Sequence, residues 1–174
     1  MVRTDQLADY RIFKVRRDLS RDPRNGQEHA FYVIEVPDWI NVVPLTPDGR
    51  VVLIEQYRPG TKEITLEIPG GMVDEGELPA DTAARELLEE TGYRAARIEP
   101  LGRIRPNPAI QSNWLHLFVA RDSIRTQEPQ PEGTEQIAVR VVALDEVPQL
   151  IALGTINHAL VVAAFSLLGT NKVR

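Results

Sequence analysis

Three glutamates on one predicted helix are the residues best suited to chemistry in this chain. Glu86, Glu89 and Glu90 are spaced i, i+3 and i+4, so their carboxylates share one helical face. Each pair of carboxylates about 6 Å apart repels by roughly 2–3 kcal/mol at an effective dielectric near ~20, and two of them occupy the last turn, where the macrodipole is negative. A divalent cation removes both penalties, because clustered carboxylate oxygens are the ligands that Mg²⁺ or Mn²⁺ prefers. The alternative is a solvated acidic face on which Arg85 pairs with Glu89 four residues on.

The segment around these glutamates predicts a helix over residues 80–91. Pro79 suits its first turn, and Gly92 suits the position just past its end. Side chains with helical spacing form the predicted buried face: Ala80, Ala83, Ala84, Leu87, Leu88 and Thr91. Before the helix, residues 64–68 predict a strand that ends at Pro69-Gly70-Gly71.

The residues around the acidic face resemble the Nudix box, the signature of Nudix hydrolases. Gly71 is followed at box spacing by Glu77, by Arg85-Glu86-Leu87, by Glu89-Glu90 and by Gly92-Tyr93. Tyr93 stands where the family most often has an aliphatic residue. The resemblance implies an α/β/α sandwich and Mg²⁺-dependent hydrolysis, with Mn²⁺ as the alternative ion, of a nucleoside diphosphate linked to another group.

The resemblance also implies a role for the box residues. Glu77 and Arg85 would orient the site through a mutual salt bridge. Metal ions would neutralise the anionic pyrophosphate and lower the pKa of a bound water, so no covalent nucleophile is required. Four positions are implied as metal ligands: the main-chain carbonyl of Gly70 (where related enzymes often have alanine), Glu86, Glu90 and, as a further ligand or close support, Glu89.

Segments outside the box resemble the branch of the family that cleaves ADP-ribose and nucleoside-diphosphate sugars. Within residues 55–60, Arg58 would contact a phosphate or ribose, and Glu67 would serve the substrate or a metal. The alternatives are a solvated charge at a strand end for Arg58 and a surface residue on an edge strand for Glu67. Trp39 is a candidate either for stacking on a ring of the substrate or for the core.

Two further functions rest on loops. Pro108, in Pro106-Asn107-Pro108-Ala109, resembles a proline that the ADP-ribose subgroup carries beyond the box, although the segment is equally a rigid turn. The general base of this branch tends to be a glutamate on the loop before the last long strand, which makes Glu132 and Glu135 the candidates. Glu135 is favoured, because the strand that follows it would fix its approach to the site. The alternative for both is a solvated loop carboxylate.

The order of elements predicts the α/β class: a Nudix-type α/β/α sandwich with a mixed sheet, plus an N-terminal β-hairpin arm. Residues 1–38 are predicted to form the arm, from strands at 10–17 and 29–36 around the turn signal Asn25-Gly26. Residues 39–174 are predicted to form the hydrolase domain. Its other elements are strands near 40–45, 51–57, 99–104, 114–120 and 137–144 and helices near 147–153 and 155–168.

Composition excludes several other classes. The chain has 174 residues, 43% of them hydrophobic and 26% charged, which predicts one folded domain. The absence of cysteine excludes disulfides, thiolate zinc sites and a cysteine nucleophile, and the net charge of −5 argues against a nucleic-acid or anionic-membrane partner. A polar N-terminus and an apolar run, 159–168, shorter than the ~20 residues of a spanning helix predict a cytoplasmic protein.

The predicted function is hydrolysis of the pyrophosphate bond of ADP-ribose or a related nucleoside-diphosphate sugar, giving a nucleoside monophosphate and a sugar phosphate. Relatives in this branch use an N-terminal arm to build a symmetric dimer, so a homodimer is implied as well. One alternative keeps the box but acts on dinucleoside polyphosphates or nucleoside triphosphates. Another is a non-catalytic ADP-ribose sensor, which the intact acidic positions disfavour.

Overall fold

The computed structural model of the chain describes residues 1–131, 133 and 136–171. The chain divides into two compact units, one made of residues 1–38 and 104–115 and the other of residues 39–103 and 116–174. No helix in the described ranges is long and apolar enough to cross a membrane.

The first unit contains a three-stranded antiparallel sheet, β1 (Arg3–Asp9), β2 (Lys14–Arg21) and β3 (Glu28–Glu35), in that order. The β2–β3 hairpin occupies the region in which two strands were predicted, whereas β1 was not predicted, because its sequence is mostly polar. Cross-strand polar contacts hold it in place: Arg17 pairs with Asp5 at 2.8 Å, and Thr4 donates a hydrogen bond to Asp18 at 2.8 Å.

From residue 39 onward, strands and helices alternate. The elements are β4 (Trp39–Pro44), β5 (Arg50–Arg58), β6 (Glu63–Glu67), β7 (Gly70–Met72), α1 (Pro79–Thr91), β8 (Tyr93–Arg94), β9 (Arg97–Ile104), β10 (Leu115–Arg121), β11 (Ile124–Arg125), β12 (Ile137–Ala143), a 3₁₀ turn (Leu144–Glu146), α2 (Val147–Ala152) and α3 (Ala159–Asn171). One sheet has the order β7-β4-β10-β9 and another the order β12-β5-β6, while β8 and β11 form a two-stranded pair. Helix α1 contacts strands of both larger sheets, and α3 packs against β4.

Helix α1 begins and ends where the sequence indicates. Pro79 is at its first turn, and Gly92 ends it with a left-handed φ of 75° and an N–H that donates to the carbonyl of Leu88 at 2.8 Å. Its apolar side chains join those of β4 and β10 in one buried cluster: Ile40, Val42, Ala83, Leu87, Phe118 and Ala120. The helix is therefore anchored on the sheet that contains β7.

The predicted buried face of α1 is partly wrong. Ala80 and Ala84 are exposed, whereas Thr82 and Glu90 are buried. The reason is that the buried face is centred near Ala83, so it includes Glu90 and leaves Ala84 outside, while Ala80 lies in the first turn of the helix. The helix thus delivers a carboxylate, not only apolar groups, to the interior.

Candidate functional site

The short strand β7 lies beside the carboxylates of α1. The Pro69-Gly70-Gly71 segment was predicted to end a strand, but it begins a new one, in which Gly70 pairs with Asn41 and Gly71 with Ile40. The backbone N–H of Gly70 donates to the Glu90 carboxylate at 3.0 Å, and Glu90 is only 2% exposed. This approach is possible because the residues of β7 at this point are glycines and because the N–H of Gly70 donates to the carboxylate.

Glu86 makes an even closer approach to β7. A Cβ placed on Gly71 would lie 2.2 Å from Oε1 and 2.5 Å from the carboxyl carbon of Glu86. The Glu86 carboxylate therefore occupies the space that any larger residue at position 71 would fill. This contact explains why position 71, fifteen residues before Glu86, is occupied by a glycine.

Gly70 is also required by its surroundings. A Cβ at this position would lie 2.2 Å from Nδ2 of Asn41 and 2.5 Å from the carbonyl oxygen of Ile40. Asn41 is buried, and its Nδ2 lies 3.5 Å from the carbonyl oxygen of Pro69. Glycine stands here in place of alanine because the Asn41 side chain takes up the room.

Arg85 binds three carboxylates at once. Its Nε and Nη2 contact the two oxygens of Glu77, each at 3.1 Å. Its Nη1 contacts Glu86 at 2.9 Å and Glu89 at 3.1 Å. Thr82 adds a hydrogen bond to Glu77 at 2.7 Å. The salt bridge between Arg85 and Glu77 that the resemblance implied is thus present. The contact between Arg85 and Glu89, which belonged to the alternative of a solvated acidic face, is present as well.

These contacts change the proton affinity of both partners. The hydrogen bonds from Arg85 hold the pKa of Glu77 below its ordinary value, with a smaller contribution from Thr82. The same contact with Glu77 raises the pKa of Arg85 above its ordinary value. Both groups are therefore charged at neutral pH, and the pair has the geometry of a bidentate bridge.

The box residues suit a hard divalent cation by their chemistry. Glu77, Glu86, Glu89 and Glu90 contribute four carboxylates and Arg85 one guanidinium, so these five side chains have a formal charge of −3. Their donors are all oxygens, as Mg²⁺ and Mn²⁺ prefer. In the part of the chain that the structure describes, no three acidic or histidine side chains already converge as a ligand set. Nη1 of Arg85 bridges Glu86 and Glu89, so a cation held by both carboxylates has to replace that contact.

Arg58 and Glu67 form a second ionic group. Arg58, at the end of β5, makes two hydrogen bonds of 2.8 Å to the carboxylate of Glu67, at the end of the adjacent strand β6. Glu67 is 1% exposed, so the alternative of a surface residue on an edge strand is wrong. Burial raises the pKa of Glu67, but the hydrogen bonds from Arg58 and Thr65 outweigh it and leave that pKa below its ordinary value. The Arg58 side chain remains 41% exposed.

Trp39 and Pro108 lie in different units of the chain. Trp39 opens β4 opposite Met72 and is half-buried, so part of its ring remains accessible beside β7. Pro108 is exposed in a turn in which the N–H groups of Ile110 and Gln111 both donate to the carbonyl of Asn107, at 3.1 and 2.8 Å. The rigid turn that was one interpretation of this segment is therefore present.

The candidate bases, Glu132 and Glu135, lie outside the described residues, so their roles stay predictions. The structure adds site residues that the sequence did not single out: Asn41, Thr65, Thr82 and His158. Asn41 had a usable signal, since it is a polar residue inside the apolar run 40–45. Thr65 and Thr82 had none, because threonine is ordinary in strands and in first helical turns.

Comparison with known proteins assigns the chain to a family. The family model of the NUDIX domain matches residues 37–165, well over half of the chain. The chain therefore belongs to the NUDIX family, and the prediction of a Nudix hydrolase from the box is confirmed.

Individual relatives agree with that assignment. The "Methanol dehydrogenase activator" of Bacillus methanolicus is 31% identical over 151 residues, which are 86% of this chain and 81% of that protein. The "ADP-ribose pyrophosphatase" of Bacillus subtilis (strain 168) is 28% identical over 128 residues, 73% of this chain and 69% of that protein. A crystal structure of "ADP compounds hydrolase" superposes with a TM-score of 0.86 at 24% identity, covering 97% of this chain and 91% of that one, which confirms the predicted fold class.

Proposed function

We propose that this chain hydrolyses the pyrophosphate bond of ADP-ribose or a related nucleoside-diphosphate sugar, with Mg²⁺ as the activating ion. The products are a nucleoside monophosphate and a sugar phosphate. The observation that carries the proposal is the approach of Glu86 and Glu90 to the Gly70–Met72 strand, which brings two carboxylates of α1 up to the backbone of that strand. The printed activity of the Bacillus subtilis relative supports the choice of substrate.

Four groups of the chain are the proposed metal ligands: the Gly70 carbonyl and the carboxylates of Glu86, Glu89 and Glu90. A divalent ion, when bound, supplies charge neutralisation for the pyrophosphate and lowers the pKa of the attacking water. The protein contributes position. The N–H of Gly70 fixes Glu90, and Glu77 holds Arg85. Nη1 of Arg85 contacts Glu86 and Glu89 and would give up this contact to a cation bound by both.

Substrate contacts and proton removal are assigned to other residues. Arg58 is the proposed contact for a phosphate or ribose of the substrate, since its guanidinium is partly exposed and fixed by Glu67. Trp39 and Pro108 remain candidates for substrate contacts. Glu135, or alternatively Glu132, is the proposed base that takes the proton of the attacking water.

The test combines a substrate panel with two helix variants. Purified protein is assayed with Mg²⁺ against ADP-ribose, ADP-glucose, GDP-mannose, diadenosine polyphosphates and nucleoside triphosphates, with products separated by chromatography. We expect monophosphate release from ADP-ribose or a nucleoside-diphosphate sugar. Glu86→Gln should reduce that rate by at least about 10²-fold, because it removes a charged ligand. Asp81→Asn is the matched control, as it neutralises an exposed acid in the first turn of the same helix and should retain the rate.

Three results would contradict this proposal. Turnover confined to triphosphates or dinucleoside polyphosphates would favour the alternative substrate class. Tight binding of ADP-ribose without product, at every Mg²⁺ concentration, would favour the sensor. Undiminished turnover by the Glu86 variant would contradict the assignment of Glu86 as a metal ligand.

We also infer that residues 1–38 form an arm and residues 39–174 the hydrolase domain, and that the arm joins two chains in a homodimer. Large apolar side chains are exposed on its sheet, among them Phe31 and Tyr32. Phe31→Asp should shift the protein towards monomer in sedimentation or light-scattering experiments. Ile64→Asp, which changes an apolar residue outside the arm that is even more exposed (71% against 55%), should not. A cytoplasmic location stays a prediction from the sequence.

A further inference from the structure

The buried carboxylate of Glu67 has a third neighbour besides Arg58 and Thr65. Arg58 supplies Nε to one oxygen and Nη2 to the other, and Thr65 donates to the first of these oxygens. Nδ1 of His158 lies 3.7 Å from the second, Oε2. Oε2 thus lies close to both the guanidinium and the imidazole.

The ring nitrogen of His158 is itself unusual. Nδ1 is buried and, among the residues that the structure describes, has no hydrogen-bond partner, although the side chain as a whole is 35% exposed. A buried polar atom without a partner carries a desolvation cost. A shift of less than about 1 Å would bring Nδ1 to a normal hydrogen-bond distance from Oε2.

Backbone hydrogen bonds to the first turn of α3 fix the position of His158. His158 directly precedes α3, and its carbonyl accepts hydrogen bonds from the N–H groups of Val161 and Val162, each at 3.1 Å. Val161 is fully buried. The start of α3 therefore holds the imidazole beside the end of β6, where Glu67 lies.

We propose that Glu67 and His158 are positioning residues for Arg58, with the imidazole Nδ1–H supporting Oε2 of the carboxylate that orients the guanidinium. The bidentate bridge fixes the plane of the guanidinium, and the imidazole prevents the carboxylate from rotating when the exposed edge of Arg58 binds an anionic group. This inference rests on the proposed role of Arg58 as a substrate contact. Neither Glu67 nor His158 needs to touch the substrate.

A positioning role of Glu67 and His158 has different measurable consequences from a purely structural role. A structural role changes only the stability of the fold. A positioning role changes the apparent affinity for the substrate through Arg58, so its effect disappears when Arg58 is already absent.

The first experiment observes the contact without any turnover. Nitrogen-15 spectra resolve the ring nitrogens of the three histidines, His29, His116 and His158, and His158→Asn identifies the resonances of interest. We expect a proton on Nδ1 of His158 and a change in its ring shifts in Glu67→Gln. Ring shifts that do not respond to Glu67→Gln would overturn the contact.

The second experiment measures hydrolysis. His158→Ala should raise KM about fivefold, the size expected for one hydrogen bond, with kcat changed less than about twofold. His158→Asn should restore KM, because its amide nitrogen can occupy the place of Nδ1. His29→Ala, which alters an exposed histidine on β3, is the control and should match the unmodified protein.

Combination with Arg58→Ala separates the two proposals. If His158 acts through Arg58, the double variant has the same KM as Arg58→Ala alone. Independent, multiplying effects would overturn the positioning role, and so would a lower melting temperature of His158→Ala with an unchanged KM. If Arg58→Ala leaves KM unchanged, the role of Arg58 in the proposed function fails, and the nitrogen-15 result decides separately whether His158 supports Glu67.

Discussion

Gly71→Ala is the most direct test of how the Gly70–Met72 strand shapes the site. The new Cβ would lie 2.2 Å from Oε1 of Glu86, whereas real contacts of this kind are essentially never under 3.0 Å. The oxygen must therefore retreat by at least about 0.8 Å, and the carboxyl carbon, 2.5 Å away, must move with it. Misplacement of a reacting group by about 1 Å can cost on the order of 10²-fold in rate. We expect a loss of that order in kcat/KM and weaker Mn²⁺ binding by electron paramagnetic resonance.

Gly60→Ala is the matched control, because nothing lies within 4 Å of a Cβ at that position. Gly71 does not have a left-handed φ, so alanine fits its backbone and the melting temperature should change little. A Gly71→Ala protein with unaltered kcat/KM would refute the assignment of Glu86. Equal losses in both variants would show that the effect does not come from the displaced carboxylate.

Three further predictions concern stability. Leu87→Ala should lower the free energy of unfolding in urea by about 2–5 kcal/mol, because Leu87 is buried in the cluster beneath α1. Gly92→Ala should lower the melting temperature, since φ is 75° and a Cβ would lie 2.1 Å from the carbonyl oxygen of Gln127; an unchanged value would contradict this helix end. The pKa of Glu67 is lowered, so its pairing with Arg58 stabilises the fold above the ordinary carboxyl pKa and is lost as the pH falls through the lowered one. Between about pH 6 and about pH 3 the unmodified protein should therefore lose more unfolding free energy than Glu67→Gln, and parallel curves would argue against the shift.

Much of the fold was predictable because its signals are local. The helix α1 has proline at its start and glycine at its end, and β4 and β5 are largely apolar. Strand β1 was missed because a mostly polar strand has no periodic apolar pattern, and its pairing depends on polar side-chain contacts with β2. Strand β7 was missed because Pro-Gly-Gly usually ends a strand, and only the position of β4 makes a new one possible.

The candidate site could be proposed from the sequence, together with one of its contacts, the Arg85–Glu77 salt bridge. The box spacing identified Glu77, Arg85 and the three helix glutamates, since their chemistry is tied to a short stretch of sequence. The burial of Glu67 was not predictable, because it depends on a guanidinium from a neighbouring strand. The approach of His158 to Glu67 joins residues more than ninety positions apart, so no local sequence pattern predicts it.

The four hydrogen bonds that Arg85 donates make this residue hard to replace. Four bonds leave one planar group in three directions, towards Glu77, Glu86 and Glu89. Lysine would keep the charge but concentrate it on a single nitrogen, so it could satisfy one carboxylate well and the others poorly. One compensating change elsewhere therefore cannot replace this arginine. An exposed pair such as Arg50 and Asp48 contributes little to stability, so either residue can be replaced at small cost.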